Sequence, residues 1–551
     1  MSPPPDLLAA LDRAATSGAR VHLADSRGSE QARTWAELRT AAHAFAAGLV
    51  ARGVGPRERL LLVLGNGEDW LVAYLGCVVA GVLPVGISPP SGLGTRQAFV
   101  RRLGEVALDL QVRGALVPGE LREGTAAALP ADALLLDPAE LRAADPAGAP
   151  VRAIDLRDPA HLQLTSGTTS RSRAAVVTHG ALAANLEQIS SATAIGPGST
   201  VVSWLPLFHD MGLVGGFLTA LWRGVDLALG TPFGFLRRPV SWLETIHRRR
   251  GTHSPAPTFA YRFVADRVKP DELAGLDLSS WRVAYVGAEA IPAGVLEAFQ
   301  ARLAPAGLRP TTLLPCYGLA ETTVAVSFKP LDAPWRAATV SRRGLAAEAR
   351  ARDPLEPGDA QRVVSCGRGL EPTELELRDE AGRALEEDRV GRVWVRGPQC
   401  CAGYWGEPGP APFDAAGWLD TGDLGFLRGG ELHLVGRAKE VIILRGENHA
   451  PSEVEWAAEQ CPGVRRAAAF GLESEREATE VLALLAEVER GADAAAVAAE
   501  VKRRLLEETG LLVAELELIP AGQLPLTTSG KLQRALAREM FLRIRSERAP
   551  G

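Results

Sequence analysis

Residues 162–179 read LQLTSGTTSRSRAAVVTH. A short alternating segment, His161 to Leu164, leads into a Ser/Thr/Gly turn, and an apolar segment, Ala174 to Val177, leads out of it. Closely spaced N–H groups and hydroxyls in such a turn can converge on an anion. The Walker-type loop, G-x-x-x-x-G-K-S/T, is absent. No lysine lies in the stretch, only Arg171 and Arg173. Taken alone, the pattern fits a Ser/Thr-rich hairpin turn as well as a phosphate loop, so the remainder of the chain has to decide.

At 551 residues the chain should hold more than one domain, because single cores stop growing at roughly 250–300 residues. A hydrophobic fraction of 46% with 23% charged residues is that of a globular enzyme. A net charge of −6 argues against general binding to nucleic acid or to an anionic membrane. The six cysteines show neither zinc nor redox spacing, which fits reduced thiols. No secretory signal is visible in MSPPPDLLAALDRAA, so a cytoplasmic protein is expected. The uncharged run from Trp70 to Ile87 approaches membrane-span length. Its Gly76, Gly81, Pro84 and Gly86 instead predict a buried helix, a turn at Gly81 and a buried strand, with no stable membrane insertion.

Helix-like and strand-like segments alternate through the first two-thirds of the chain. Residues 201–205 and 283–286 are buried-strand candidates, and 295–304 suits an amphipathic helix. This alternation predicts α/β layers. After Ser327 the texture changes: ELEL (374–377), RVWVR (392–396) and ELHL (431–434) have the period of half-buried antiparallel strands, as in a small β-barrel-like subdomain. The last hundred or so residues return to an α+β texture, with Ala/Glu/Arg-rich helices expected over 483–508.

Five segments carry the chemistry, in this order: LQLTSGTTSRSRAAVVTH (162–179), SWLPLFHDMGLVGG (203–216), LLPCYGLAETT (313–323), GWLDTGDLG (417–425) running on to LVGRAKEVIILRGENHAPSEVE (434–455), and LPLTTSGKLQR (524–534). Together they resemble the adenylate-forming superfamily of acyl-CoA ligases, nonribosomal-peptide adenylation domains and luciferases. Within it they are most similar to the fatty acyl-AMP ligases. SWLPLFHDMGLVGG and YGLAETT look like that branch's versions of two shared motifs, and Glu321 to Ser365 has room for its insertion.

The resemblance implies a large N-terminal α/β domain, residues 1–437, and a small mobile C-terminal α+β domain, residues 438–551, turning about Lys439. It implies that Thr165, Ser166, Gly167, Thr168 and Thr169 meet the β- and γ-phosphates of ATP. Gly287, Ala288, Glu289, Tyr317 and Gly318 would lie beside adenine; a tyrosine offers a flat ring for that face. Asp423 would accept both ribose hydroxyls, since a carboxylate has about four acceptor sites, and Arg437 would join it. Glu321 is a hard oxygen ligand suited to Mg²⁺. His209 would lie between the acyl pocket and the α-phosphate. Lys531, a compact ammonium on a flexible stem, is the implied catalytic cation; without the motif it would read as a solvated tail residue.

The implied reaction joins a carboxylic acid, as in fatty-acid activation for lipid, polyketide or lipopeptide synthesis, to AMP. An acyl carrier protein would then take the acyl group on its phosphopantetheine thiol. An acyl-CoA ligase using CoA and a catalytically silent nucleotide- or acyl-binding relative are the alternatives. Arg173 stands where most of the superfamily has lysine, and Ala320 where many relatives have threonine. Both departures look like the fatty acyl-AMP ligase branch. Phe208-His209-Asp210 replaces the aspartate motif that holds an α-amino group, which disfavours an amino-acid substrate. Trp204, Met211, Gly212 and Phe259 are candidate walls of the acyl pocket.

Overall fold

The computed structural model describes residues 5–90, 96–150, 152–165, 173–406, 413–444, 447–474, 479–527 and 530–548. Two sheets dominate its first two-thirds. A six-stranded sheet is parallel except at its last edge, where Pro159–Leu164 pairs antiparallel with Ala174–Thr178. That edge hairpin carries the TSGTT stretch between its strands. A nine-stranded sheet has parallel strands at its centre, including Thr200–Ser203, His253–Pro257, Val283–Gly287 and Leu313–Tyr317. Parallel strands covered on both faces read as continuous apolar runs, and every residue of Val283–Gly287 is buried.

The apolar run at 70–87 resolves as expected. The helix Glu68–Ala80 is buried from Trp70 to Ala80, Gly81 ends it in the left-handed conformation, and the strand Leu83–Gly86 follows. It lies in a hydrophobic core that reaches from Leu7 to Leu370. Among the described residues no helix is long and apolar enough to cross a membrane. The expected helix near 295–304 spans Ala293–Leu303.

The alternating segments form a four-stranded antiparallel sheet from Glu374–Arg378, Gly391–Arg396, Leu419–Arg428 and Glu431–Arg437. Its barrel-like character comes from packing. The hydrogen-bonded ladder stays open, and the separate pair Ala337–Ser341 and Ala360–Val364 shares a core with it through Phe426, Val340 and Val363.

The C-terminal part has its own sheet, Val464–Ser474, Thr479–Val488 and Val513–Pro520, and two cores of its own. The expectation of helix over 483–508 holds only for Ala494–Thr509. Residues 483–488 belong to the central strand Thr479–Val488. Leu482, Leu484 and Ala486 face one core while Ala483 and Leu485 face the other. A central strand covered on both sides has no polar face, so its Ala/Leu texture reads like a helix.

Candidate active site

A single cleft of about 2670 Å³ runs between the large N-terminal part and the C-terminal part. It gathers Thr165, His209, Tyr317, Gly318, Glu321, Asp423, Arg437, Lys439 and Lys531, drawn from all five motifs, together with Ala288 and Glu289 from outside them.

At the loop, Thr165 N–H donates to the Arg173 carbonyl at 2.8 Å, closing its neck. Ser166, Gly167, Thr168 and Thr169 lie outside the described residues. Segment 401–405 runs beside the strand Ala174–Thr178, with Ala402 and Trp405 donating to Val176 and Ala174. This brings in a residue that the motifs did not single out. The Tyr404 hydroxyl donates to Glu321 Oε1 at 2.6 Å, and the Arg173 guanidinium lies 4.9 Å from its ring centroid. Its only sequence signal was an aromatic pair, Tyr404-Trp405, following a glycine.

Gly318 bends the chain between the Leu313–Tyr317 strand and the short turn at Ala320–Thr322. A Cβ there would meet the Val324 carbonyl oxygen at 1.6 Å, so only glycine lets the turn fold back this tightly. The turn puts Glu321 in the cleft.

Tyr317 and Asp423 come from different sheets. The Tyr317 hydroxyl donates to Asp423 Oδ2 at 2.6 Å, while Arg437 Nε meets Asp423 Oδ1 at 3.0 Å across adjacent strands. Burial pushes the Asp423 carboxyl up, against the pull of Arg437 and then of Tyr317. One bond to each oxygen leaves about half of its acceptor capacity for a ligand diol. These groups fit a nucleoside.

His209 caps the one-turn helix Asp210–Gly212, and its Nδ1 lies 2.7 Å from Asp210 Oδ1. Burial would raise the Asp210 carboxyl, yet His209 and then Lys531 outweigh it and hold it below its ordinary value. Glu289 sits under the left-handed Ala288 and accepts from Phe259 N–H at 3.3 Å. Burial raises its carboxyl against the pull of Arg466, Phe259 N–H, Lys531 and Arg534. Lys531 therefore acts on carboxylates of the large part from its turn in the small one. Lys439 is exposed on the turn after Glu431–Arg437, where Glu440 N–H donates to the Arg437 carbonyl.

Trp204, Met211 and Phe259 line the cleft as expected. Gly212 is buried against the Pro206 carbonyl, and Gly215, one helical turn on, reaches the cleft instead. Gly287 ends its strand against Cys316 while Ala288 and Glu289 face the opening. The apolar end is aromatic: Trp204 stacks on Phe235 at 3.9 Å and meets Phe259 edge-on at 6.3 Å. It can hold a hydrocarbon chain.

Residues 11–405 match the family of AMP-binding enzymes. The chain belongs to that family. A Caulobacter vibrioides protein, provisionally named an acyl-CoA synthetase, is 35% identical over 551 residues, covering 98% of this chain and 95% of that one. The medium-chain-fatty-acid–acyl-carrier-protein ligase of Moorena producens is 33% identical, over 92% of this chain and 90% of its own. A solved structure from a study of the fatty acyl-adenylate ligases of E. coli and L. pneumophila superposes with a TM-score of 0.92 at 33% identity, covering 98% of this chain and 99% of that one. For this AMP-binding enzyme the nucleoside-shaped end of the cleft and its aromatic end acquire a common purpose.

Proposed function

We propose that this AMP-binding enzyme joins a fatty acid to AMP and passes the acyl group to the phosphopantetheine thiol of an acyl carrier protein. The observation that carries the first step is a single cleft lined by Lys531 of the small part and by His209, Asp210 and Glu289 of the large part, with the Lys531 charge felt by both carboxylates.

In the first step a carboxylate oxygen bonds to the α-phosphorus of substrate ATP, the bond to the β-phosphate bridging oxygen breaks, and pyrophosphate leaves. Two anions must approach, and a preorganised cation is typically worth roughly 10²–10³ in rate. Lys531 supplies that charge. Asp423, Arg437 and Tyr317 hold the nucleoside; Thr165 and its loop, with Arg173, hold the departing phosphates. His209 separates the acid from the phosphate, oriented by Asp210. Mg²⁺, when bound, neutralises phosphate charge, and Glu321 is its protein ligand. Magnesium typically takes one or two carboxylates and leaves the remaining positions to phosphates and water. Among the described residues no cluster of three or more His, Cys, Asp or Glu would hold a metal without such help. In the second step the thiol sulfur bonds to the acyl carbon, AMP leaves, and the thiol proton passes to solvent. The large domain ends at residue 437 and the small one turns about Lys439 between the steps. Six free thiols, four of them buried, suit a reducing cytoplasm.

The carrier-protein ligase among the relatives supports that acceptor, while the provisionally named acyl-CoA synthetase supports CoA. A mass-spectrometric screen of acyl-AMP formation across short, medium, long and aromatic acids, followed by CoA and holo-carrier protein offered side by side, tests both steps. We expect aliphatic acyl-AMP and transfer to the carrier. Faster transfer to CoA would replace the acceptor, and no adenylate from any acid would leave a silent binding protein.

A further inference from the structure

The small domain's Lys531 turn is held from three sides. Thr527 N–H donates to the Lys531 carbonyl at 2.7 Å, and Lys531 N–H to Thr527 Oγ1 at 2.9 Å, which closes the turn on itself. Gly530, at φ +86°, presses against the large domain: a Cβ there would stand 2.8 Å from Phe259 Cε1. The third hold comes from a residue outside every motif described above. Arg466 Nη2 donates to the Gly530 carbonyl at 2.8 Å, one residue before the lysine and 64 residues away in sequence.

The way Arg466 reaches this carbonyl is built into its strand. Pairing between Val464–Ser474 and Thr479–Val488 slips in register between Val464 and Arg466. Such a bulge bends the strand and re-aims a side chain. Arg465 is exposed and Ala467 buried, while Arg466 is half-buried on the cleft wall. Across the cleft, Glu289 and Phe259 form one hydrogen-bonded unit, and the Gly530 turn is seated on that same Phe259 ring. The Glu289 carboxylate feels Arg466 more strongly than any other opposing group. One guanidinium thus serves the turn that carries the lysine and the large-domain unit on which the turn rests.

We propose that Arg466 is a positioning residue for Lys531: its bond to the Gly530 carbonyl fixes Gly530 against Phe259, so that the ammonium of the next residue stands in the cleft during adenylation. This rests on the assignment of Lys531 to the adenylation step. In this role Arg466 acts through the turn.

The test compares wild type with Lys531→Ala, Arg466→Ala and Arg466→Lys. The readouts are dodecanoyl-AMP formation trapped with hydroxylamine, affinity for a non-hydrolysable dodecanoyl-AMP analogue, and thermal unfolding. A displacement of about 1 Å can cost roughly 10²-fold, so Arg466→Ala should lower kcat by about that factor. KM values and analogue affinity should stay within about twofold, as for an interaction realised only in the transition state. The unfolding temperature should not move, and Arg466→Lys, whose ammonium can also donate to a carbonyl, should recover part of the rate. Full activity of Arg466→Ala beside an inactive Lys531→Ala would overturn this inference alone. A parallel loss of rate, affinity and unfolding temperature would overturn it by making Arg466 a folding residue. Full activity of Lys531→Ala would overturn the reading beneath it.

Discussion

Tyr404 ties two charged groups together. Its hydroxyl donates to Glu321 and its ring faces Arg173, so it links the carboxylate proposed for magnesium with the cation at the neck of the TSGTT turn. A hydrogen bond to a charged group is worth about 1.5–3 kcal/mol. Tyr404→Phe should therefore lower kcat/KM for Mg-ATP by about ten- to a hundredfold. Glu321→Ala should cost more and raise the magnesium concentration at half-maximal pyrophosphate release. A magnesium titration of both variants checks this, and an unchanged midpoint for Glu321→Ala would remove that residue from the metal. Glu321 was legible in YGLAETT, whereas Tyr404 was not, because it is brought in by a backbone bridge to Ala175 and meets Glu321 across 83 residues of sequence.

Three histidines sit inside the elements that frame the cleft. His161 lies in Pro159–Leu164, His179 opens His179–Ala192, and His253 opens His253–Pro257. Burial pushes their ring pKa values down, to about 3 for His161 and about 4 for His179 and His253. In the unfolded chain each takes a proton near pH 6.5. The folded state refuses that proton until about pH 3 to 4, so stability is full above about pH 6.5 and falls as pH drops through that window. Each histidine contributes about 1.4 kcal/mol per pH unit there. Urea midpoints between pH 7 and 4.5 should fall accordingly, and His179→Gln should flatten the curve by one histidine's share. A flat wild-type curve would mean that these rings are hydrated in the folded state. Element identity itself was legible where periodicity was clean, as in Gly391–Arg396. It misled at residues 483–488, where burial on both faces erased the alternation of a strand.

Across the whole molecule the two parts meet through charged pairs. Arg262 bonds the Glu459 carboxylate, donates to the Glu459 carbonyl at 3.0 Å and lies 5.2 Å from the Trp456 ring centroid. Arg342 Nε meets Glu453 Oε1 at 2.6 Å. Burial raises the carboxyls of both glutamates against the pull of these arginines, so removing an arginine leaves a buried charge without its partner. All these contacts belong to the orientation in which Lys531 faces the cleft. Arg262→Ala should shift the small domain away from it. Adenylation is then expected to slow several-fold while transfer from supplied acyl-AMP holds or speeds up, a shift of less than about 3 kcal/mol in a two-state equilibrium. Separate assays of the two half-reactions check this. Equal slowing of both would show that Arg262 stabilises the fold without choosing an orientation.

Sequence alone determined the reaction class. The ordered turns TSGTT, YGLAETT, TGD and LPLTTSGK are local, and a turn's glycines, hydroxyls and charges are read by the ligand they surround with little help from distant residues. The same text pointed to the α/β layers and to a lysine far downstream of the TSGTT turn. Tertiary structure alone decided which residues share a wall. The Tyr317–Asp423 bond, the hold of Arg466 on Gly530 and the aromatic end around Trp204 join segments from 31 to 106 residues apart. Periodicity reports only which face of an element is buried. Which other element covers that face depends on how all the sheets pack together, and at that level the aromatic end of the cleft, the Arg466–Gly530 contact and the charged pairs between the two parts come into being.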